Sequence, residues 1–406
     1  MRRSVYTIII YITWLLLPGL SMRAAEAQAM SGKDSVRLSL LTCGPGTEIY
    51  SLFGHTAIRY EDRNRGVDVV FNYGLFSFDT PNFILRFTLG ETDYQLGVTD
   101  FRRFLAGYWM EGRDVWQQTL NLTTEEKQRL IGQLEENYRP ENRVYRYNFF
   151  YDNCATRPRD QVERATKGRL RYAEDMESTD TGRSFRDIVH QYCEGHPWAR
   201  FGIDMCLGSE ADRPINRRQM MFAPFYVKDF FASATLADST GVRPLVSDTE
   251  QVLVIPADAR EKEAAYPSPL QAALFLLLVV GIATWIGIRK GKSLWGIDLL
   301  LFFLAGVAGC FWTVLAFFSQ HPAVGSNYVL FVFHPLHLLC LPFMLHKVIK
   351  KRMSYYMAAN GVVLTLFMLL LGVIPQEIHL AVLPLALCLL IRSASNIIIS
   401  RKQTRR

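Results

Sequence analysis

Two segments that lie far apart in the sequence carry side chains that could perform acyl-transfer chemistry. Cys154 directly follows Asn153, a residue type that often caps the start of a helix, and His55 opens an apolar, strand-like segment upstream. The thiolate form of cysteine is a strong nucleophile, and an imidazole can accept the proton of the thiol. The sequence therefore predicts Cys154 as a nucleophile with His55 as its base.

A third polar group would hold the imidazole in one tautomer, and the next predicted strand offers two residues for this role. Asn72 is the first choice because its side-chain carbonyl is an uncharged acceptor at the matching end of the hairpin. Asp68, on the same face of that strand, is the alternative. The backbone N–H of Cys154 is the expected first oxyanion donor, and Tyr147 and Tyr151 are candidates for the second.

Each of these residues also has a purely structural interpretation. An isolated cysteine is more often a small buried residue than a catalyst, and an isolated histidine is more often a core residue. The exported part of the chain contains Cys43, Cys154, Cys193 and Cys206, an even number that permits two disulfides. Cys193 and Cys206 could close a short loop, whereas a Cys43–Cys154 bridge would remove the nucleophile.

The pattern of apolar and capping residues predicts the elements that position these side chains. Thr123 and Glu126 form the signature of a capping box, and Asn153 is a favourable N-cap for the helix that follows it. Gly66 closes a turn between two strand-like segments. The first alternates apolar and polar residues, and the second is rich in β-branched residues. The resulting prediction is strands at 34–42, 55–60 and 67–73, the last two forming a hairpin, and helices at 123–137 and 154–165.

The first 29 residues have the pattern of a secretory signal peptide. Two arginines precede an apolar stretch at 5–17, and a run of small residues ends at Ala29. Cleavage is expected after Ala27 or Ala29, with an uncleaved anchor as the alternative. Residues 30–267 then have a mixed, globular composition and are numerous enough to bury a core.

Residues 268–406 are strongly apolar and predict five transmembrane helices. The loops after the first, third and fifth predicted spans contain Lys and Arg, whereas the other two loops contain none. This alternation places the C-terminus in the cytoplasm and residues 30–267 outside it. The predicted spans are Pro269–Ile288, Ile297–Phe318, Tyr328–Leu345, Tyr355–Ile374 and Ile378–Ile398.

The distribution of charge argues against a nucleic-acid partner. The net charge of the chain is +7, but residues 268–406 hold 12 Lys and Arg against 2 Asp and Glu, which leaves the rest of the chain at −3. The basic excess therefore orients the spans. The sequence has no Cys-x-x-Cys motif and no second histidine near His55, so neither a metal nor a cofactor is expected.

Four polar residues fall within the predicted spans. His334 and His337 share a helix face and could line a lipid cavity, although hydrogen bonding between helices is the favoured explanation. Asp298 and Asn360 lie near cytoplasmic ends and are expected to face the lipid headgroups.

These motifs together resemble the Lnb family, bacterial lipoprotein N-acyltransferases of the Bacteroidota type. The resemblance extends over nearly the whole mature chain. More distantly, a histidine strand that precedes the cysteine resembles circularly permuted papain-like folds. Many acyltransferases of that wider group carry a histidine where this chain has Asn72. The matching segments are Gly54–Arg59, Phe71–Gly74, Phe83–Gly90, Tyr147–Arg157, Asp204–Gly208, Asp212–Pro214 and Gln219–Pro224.

The resemblance implies an α+β fold, in which a circularly permuted papain-like periplasmic domain at 30–267 precedes a five-helix transmembrane domain at 268–406 in the inner membrane. It implies transfer of a fatty acyl group from a membrane phospholipid to the α-amine of a diacylated lipoprotein. The acyl group would pass through a thioester on Cys154, with His55 and Asn72 as the other catalytic residues.

Two functions of other classes remain open at this point. A membrane-tethered peptidase could use the same Cys–His pair to cut cell-wall peptides, and it would need an open, polar groove. A scaffold or sensor of the cell envelope would need no chemistry, so that both residues would be structural.

Overall fold

The computed structural model describes residues 35–76, 81–239, 241–256 and 266–404. The predicted signal peptide therefore lies outside the described residues. The described chain forms a mixed α/β domain, built around a sheet, followed by a helical region.

Ten strands form two antiparallel sheets in the first domain. The large sheet has seven strands in the order β10-β5-β1-β2-β3-β4-β6, and the small one has the order β7-β8-β9. The strands are β1 (Val36–Cys43), β2 (His55–Asp62), β3 (Val67–Leu75), β4 (Asp93–Asp100), β5 (Val115–Leu120), β6 (Val144–Arg146), β7 (Leu170–Arg171), β8 (Thr235–Asp238), β9 (Gly241–Pro244) and β10 (Val246–Leu253). The three strands predicted from the sequence are β1, β2 and β3, and the predicted hairpin of β2 and β3 is confirmed.

Eight helices surround the large sheet, and the capping box of Thr123 and Glu126 is confirmed at the start of the third. They are α1 (Phe83–Thr88), α2 (Phe101–Met110), α3 (Thr124–Tyr138), α4 (Thr156–Ala165), α5 (Phe185–Tyr192), α6 (Pro197–Cys206), α7 (Arg217–Met220) and α8 (Pro224–Ser233). A short 3₁₀ helix, Ser209–Asp212, follows α6.

Alternation along the strands gives the large sheet two apolar faces. Leu38 and Leu40 pack with Leu130 of α3 and Val162 of α4 on one face. The opposite face, which carries Leu41, Cys43, Ala57 and Val70, packs against Phe101 and Phe104 of α2. His55 and Asn72 are two residues from Ala57 and Val70, so the same alternation places them on the face covered by α2.

The helical region contains fewer continuous spans than predicted. Three helices, α9, α10 and α14, are long and apolar enough to cross a membrane, and a segment bent by 76° is a fourth candidate. The prediction of five spanning helices is thus not confirmed. The helices are α9 (Pro269–Lys290), α10 (Trp295–Phe318), α11 (Leu336–Leu339), α12 (Leu341–Ile349), α13 (Tyr355–Leu369) and α14 (Val382–Thr404), with a 3₁₀ turn at Tyr328–Phe331 before α11.

Prolines explain why the third predicted span is broken. Pro335 caps α11 and Pro342 lies in the first turn of α12. Neither residue has the backbone N–H that a continuous helix would use as a donor. In addition, the proline ring would clash with the carbonyl group one turn earlier in an uninterrupted helix. The helix of the fourth predicted span, α13, has only 15 residues.

The polar residues of the helical region are buried and paired. Asp298 is 1% exposed and accepts two hydrogen bonds from Arg392, at 2.6 and 2.9 Å, and Asn360 is 3% exposed and bonds Ser393. The prediction that Asp298 and Asn360 face the headgroups is therefore wrong. Arg392, inside the last span, is the missing partner, and a buried carboxylate requires one.

The hydrogen bonds of His337 agree with the interpretation favoured from the sequence, which was hydrogen bonding between helices. His337 is fully buried, and its Nε2 bonds the Val332 carbonyl at 3.0 Å while Nδ1 accepts from the Tyr356 hydroxyl at 2.7 Å. His334 stacks on His337 with ring centroids 4.0 Å apart. His337 thus joins the bent segment to α13 by hydrogen bonding between helices.

The sheet domain is joined to the helical region by hydrogen bonds of the loop after α10. The amide of Gln320 donates to the Leu89 carbonyl at 2.8 Å, and the amide of Gly208 donates to the Ala323 carbonyl at 2.8 Å. The side-chain amide of Asn327 donates to the Met205 carbonyl at 2.9 Å. Backbone contacts of this kind hold the sheet domain at one position relative to the spans.

A substitution at Gly208 would test this junction, because the structure leaves no room for a side chain at this position. A Cβ at this position would lie 1.7 Å from the Gly325 carbonyl oxygen, whereas a Cβ at Gly132 in α3 meets no atom within 4 Å. We expect Gly208→Ala to lower the free energy of unfolding by about 1–3 kcal/mol. Gly132→Ala should raise it by about 0.5–1 kcal/mol. Thermal unfolding of the purified full chain in detergent measures both, and an unchanged melting temperature for Gly208→Ala would contradict the tight contact.

The ion pair of Asp298 and Arg392 allows a second stability test. Arg392→Met leaves a buried carboxylate without its partner and should cost about 3–5 kcal/mol of unfolding free energy. The double variant Asp298→Leu/Arg392→Met removes both charges and should be markedly more stable than the single variant. Both are compared by unfolding in mixed micelles, and a double variant as unstable as Arg392→Met would argue against a paired, desolvated site.

Candidate active site

Cys154 lies in the tight loop between β6 and α4, and Asn153 gives this loop its shape. The Asn153 Oδ1 accepts from the amides of Ala155 and Thr156 at 2.8 and 2.9 Å, while Nδ2 donates to the carbonyls of Phe149 and Phe222 at 2.6 and 2.9 Å. The prediction that Asn153 is the N-cap of a helix starting at Cys154 is wrong: α4 begins at Thr156 and its N-cap position is Ala155. Asn153 instead bonds the amides of the second and third residues after it, in a turn that precedes the helix.

His55 and Asn72 meet at the ends of neighbouring strands. The Nε2 of His55 and the Oδ1 of Asn72 are 2.5 Å apart. An amide oxygen only accepts, so this contact assigns the imidazole proton to Nε2 and leaves the lone pair on Nδ1. Asp68, the sequence-based alternative, instead forms an ion pair with Arg59 at 2.8 Å. The structure brings Asn72, and not Asp68, to the histidine.

The thiol lies beside the same strand ends. The backbone amides of Thr56 and of Cys154 itself and the hydroxyl of Tyr147 lie close enough to the Cys154 sulfur to lower the pKa of its thiol. Across the hairpin, a Cβ added to Gly74 would lie 3.5 Å from the Cβ of Cys154. That distance is an ordinary van der Waals contact, so the cysteine loop packs directly against the end of β3, where the φ of Gly74 is +91°, a value that favours glycine.

Of the two tyrosines proposed as oxyanion donors, only Tyr147 reaches the site. Its ring stacks on Tyr94 with centroids 4.2 Å apart, and its hydroxyl contacts the thiol. Tyr151 is half exposed and packs against Phe185 at the opposite side of the loop. Tyr147 is therefore the tyrosine positioned to donate to an oxyanion formed next to the sulfur.

Burial controls the protonation of this pair. Loss of solvation raises the pKa of the Cys154 thiol from 9.0 to about 11, although the amides and Tyr147 oppose the rise. Loss of solvation lowers the pKa of His55 from 6.5 to about 4, against the opposing effect of Asn72. Both groups are consequently neutral at pH 7, with a thiol that must be deprotonated during the reaction.

A cavity of about 680 Å³ connects this site to the membrane-spanning part. His55, Asn72 and Cys154 all line it. Its walls are largely aromatic and aliphatic, and they extend to Phe311 and Leu315 of α10. The candidate nucleophile and a predicted transmembrane helix thus border one largely apolar cavity, which is partly open to the outside.

All seven cysteines are among the described residues, and each is a free thiol. The structure therefore contains neither the Cys193–Cys206 bridge nor the Cys43–Cys154 bridge considered above. Cys43 is the β1 partner of His55 in the sheet register, and its thiol is hydrogen-bonded to Tyr108. Its pKa is raised to about 12 by burial, so it is a neutral part of the wall behind the imidazole.

One residue of the site was not predicted from the sequence. Arg113 lies in the cavity wall close to Cys43, Cys154 and His55. Nothing around Arg113 in the sequence distinguished it from a surface arginine. Among the described residues no cluster of three or more His, Cys, Asp or Glu side chains is arranged to hold a metal.

The neutral resting state predicts how the thiol reacts with pH. Because the pKa of Cys154 is about 11, its alkylation by iodoacetamide should rise about tenfold per pH unit from pH 7 to pH 10 without a plateau. In the urea-unfolded chain the same cysteine should level off above about pH 9. Peptide mass spectrometry of the alkylated protein follows Cys154 alone, and a rate that is already constant at pH 6–7 would indicate a preformed ion pair instead.

Two family models match the chain. The model of the Lnb N-terminal periplasmic domain matches residues 24–189, and the model of the Lnb transmembrane domain matches residues 260–404. No curated protein and no solved structure matches the chain. The two matched regions cover most of the sequence and follow each other in the order of the sheet domain and the helical region. The chain is a membrane protein with a periplasmic N-terminal domain, and it belongs to the Lnb family.

Proposed function

We propose that this protein is a lipoprotein N-acyltransferase. It would move a fatty acyl group from a membrane phospholipid, through a thioester on Cys154, to the α-amine of a diacylated lipoprotein. The observation that carries the proposal is the cavity that His55 and Cys154 share with Phe311 and Leu315 of α10. An apolar space between a thiol and a membrane helix suits an acyl chain better than a peptide.

The first half-reaction forms the thioester. As the Cys154 sulfur bonds to the carbonyl carbon of the lipid ester, its proton passes to Nδ1 of His55, the nitrogen left free by Asn72. The amide of Cys154 and the hydroxyl of Tyr147 would stabilise the oxyanion. When the C–O bond of the ester breaks, the leaving alkoxide takes the proton from Nδ1 and departs as a lysophospholipid.

The second half-reaction transfers the acyl group to nitrogen. The neutral α-amine of the lipoprotein attacks the thioester carbonyl, and an α-amine with a pKa near 8 is partly neutral at pH 7. His55 accepts a proton from the nitrogen and returns it to the departing sulfur of Cys154. The products are an amide on the lipoprotein and the original thiol.

The apolar walls also serve the chemistry by limiting hydrolysis. Water competes with the amine for the thioester, so the intermediate survives only where water is scarce. The same loss of solvation keeps Cys154 and His55 neutral at rest. The reactive thiolate is then formed only as the ester carbonyl becomes available.

The proposal includes the domain arrangement expected from the sequence. Residues 1–29 would be a signal peptide, residues 30–267 a periplasmic acyltransferase domain, and residues 268–406 an inner-membrane domain with a cytoplasmic C-terminus. His55 precedes Cys154 on a strand of an antiparallel sheet, and this order supports a circularly permuted papain-like fold. The charged loops after Lys290 and Ile349 support the orientation.

The peptidase alternative has less support from the geometry. A cell-wall peptidase needs a polar groove open to solvent, whereas the cavity at Cys154 is lined mainly by aromatic and aliphatic side chains and ends at α10. A scaffold would not need the Asn72 side chain to orient the imidazole of His55. Both alternatives remain outcomes of the experiment below.

Mass spectrometry of lipoprotein N-termini tests the proposal. We expect Cys154→Ser to remove the amide-linked acyl chain from lipoproteins in cells, because an alcohol with this neutral base is a much weaker nucleophile. Cys193→Ala, which removes another buried thiol of the same domain, should leave the triacylated N-termini unchanged. Protein levels are matched by immunoblot.

The outcomes separate the three functions. Unchanged lipoproteins with altered cell-wall peptides in the Cys154→Ser strain would indicate the peptidase. A strain identical to the wild type in both measurements would indicate a scaffold, and either result would refute the acyltransferase.

A further inference from the structure

The cavity that contains the thiol has one polar region in its otherwise apolar wall. Two arginines, Arg103 of α2 and Arg113, line it there together with Tyr108 and Glu111. Glu111 is the single carboxylate among the described lining residues, and it is already bonded to Arg113 at 2.7 Å. The polar region therefore carries an excess of positive charge.

Arg113 is held rigidly in this region but is not fully satisfied. Its Nε donates to the Gly44 carbonyl at 2.8 Å, and its guanidinium lies over the Tyr108 ring at 4.7 Å from the centroid. The side chain is only 7% exposed, yet Nη2 has no hydrogen-bond partner among the described residues. A buried guanidinium N–H without a partner is costly, and an absent ligand is one explanation for it.

The arginine lies next to the reacting groups. Gly44 follows Cys43, the sheet partner of His55, and the charge of Arg113 is close enough to affect the pKa of His55 and of Cys154. Arg103 is exposed on α2, one turn before Gly107 and Tyr108, which line the same cavity. If the anionic group of a ligand bound both arginines, a neighbouring group of the same ligand would thus lie at the thiol of Cys154.

We propose that Arg103 and Arg113 bind the phosphate of the donor lipid, and so make a phosphodiester headgroup a requirement for the first half-reaction. Guanidinium groups match the geometry of phosphate oxygens and bind them strongly where water is excluded. The glycerol ester lies a few bonds from the phosphate, and the acyl chain would continue along the apolar wall toward Phe311 and Leu315. The inference rests on the proposed function and adds to it two residues that would recognise the phosphate of the donor.

The test compares a phosphate-bearing donor with one that lacks phosphate. Purified full-length protein in dodecyl maltoside micelles is mixed with dioleoyl phosphatidylglycerol or with dioleoylglycerol, and the Cys154 thioester is measured by intact mass. We expect the wild type to favour the phospholipid by at least about tenfold. Arg103→Gln and Arg113→Gln should each reduce this ratio by about tenfold.

A matched control is available on the same helix. Arg102 is exposed and does not line the cavity, so Arg102→Gln makes the same change in charge and should preserve the donor ratio. If Arg113→Gln fails to fold, Arg103→Gln carries the test alone. Equal use of both donors by the wild type, or an equal loss of both rates in Arg103→Gln and Arg113→Gln, would overturn the proposal and leave the acyltransferase function standing.

Equilibrium binding separates failure of this inference from failure of the proposed function. The absence of a thioester with every donor would count against the acyltransferase itself. In that case the Cys154→Ala protein, titrated with dioctanoyl phosphatidylglycerol, still reports on the two arginines. Binding weakened about tenfold by Arg103→Gln but not by Arg102→Gln would support the phosphate site, and binding unaffected by both would refute it.

Discussion

The four hydrogen bonds of the Asn153 side chain are the constraint on which the rest of the site depends. They join the loop before Cys154, the start of α4 and the segment that ends at Phe222, so three separate parts of the chain meet at one buried amide. Without them the cysteine would have no defined position against β2 and β3. His55 and Asn72 lie on the paired strands β2 and β3. Fixing the loop of Cys154 is therefore the remaining step that brings all three residues together.

Burial of the site is the second property that determines how it could work. The apolar walls suit a hydrocarbon chain, but the same loss of solvation keeps the thiol of Cys154 protonated and the imidazole of His55 uncharged. The helix that follows the cysteine does not reverse this, since it begins two residues further on. Under the proposed function, Cys154 would therefore be activated by His55 as a general base and would not rest as a thiolate.

Local signals explain which parts of the structure could be predicted. The hairpin of β2 and β3 and the capping box at Thr123 are encoded by neighbouring residues, and the structure confirms them. The contact between His55 and Asn72 could be predicted because the two residues lie at matching ends of the predicted β2–β3 hairpin.

Long-range partners explain what could not be predicted. Asp298 was expected at the headgroups because its neighbours are apolar and it lies near a span end, and only the fold brings Arg392 to it. The third span looked continuous by hydropathy, whereas Pro335 and Pro342 interrupt it, since hydropathy does not measure backbone hydrogen bonding. Arg113 lies far in sequence from Gly44, His55 and Cys154, the residues of the site that it is close to.

The junction between the sheet domain and the loop after α10 bears on the choice of acceptor if the protein is the proposed acyltransferase. Backbone bonds through Gly208, Leu89 and Gln320 join the sheet domain to the helical region, and the cavity at Cys154 extends to Phe311 and Leu315 of that region. An amine on a freely diffusing peptide would have to find this cavity from solution, whereas an amine anchored by two lipid tails would already be confined to the membrane surface. Under the proposed function, membrane anchoring of the acceptor would then contribute to its selection without any reading of the peptide sequence.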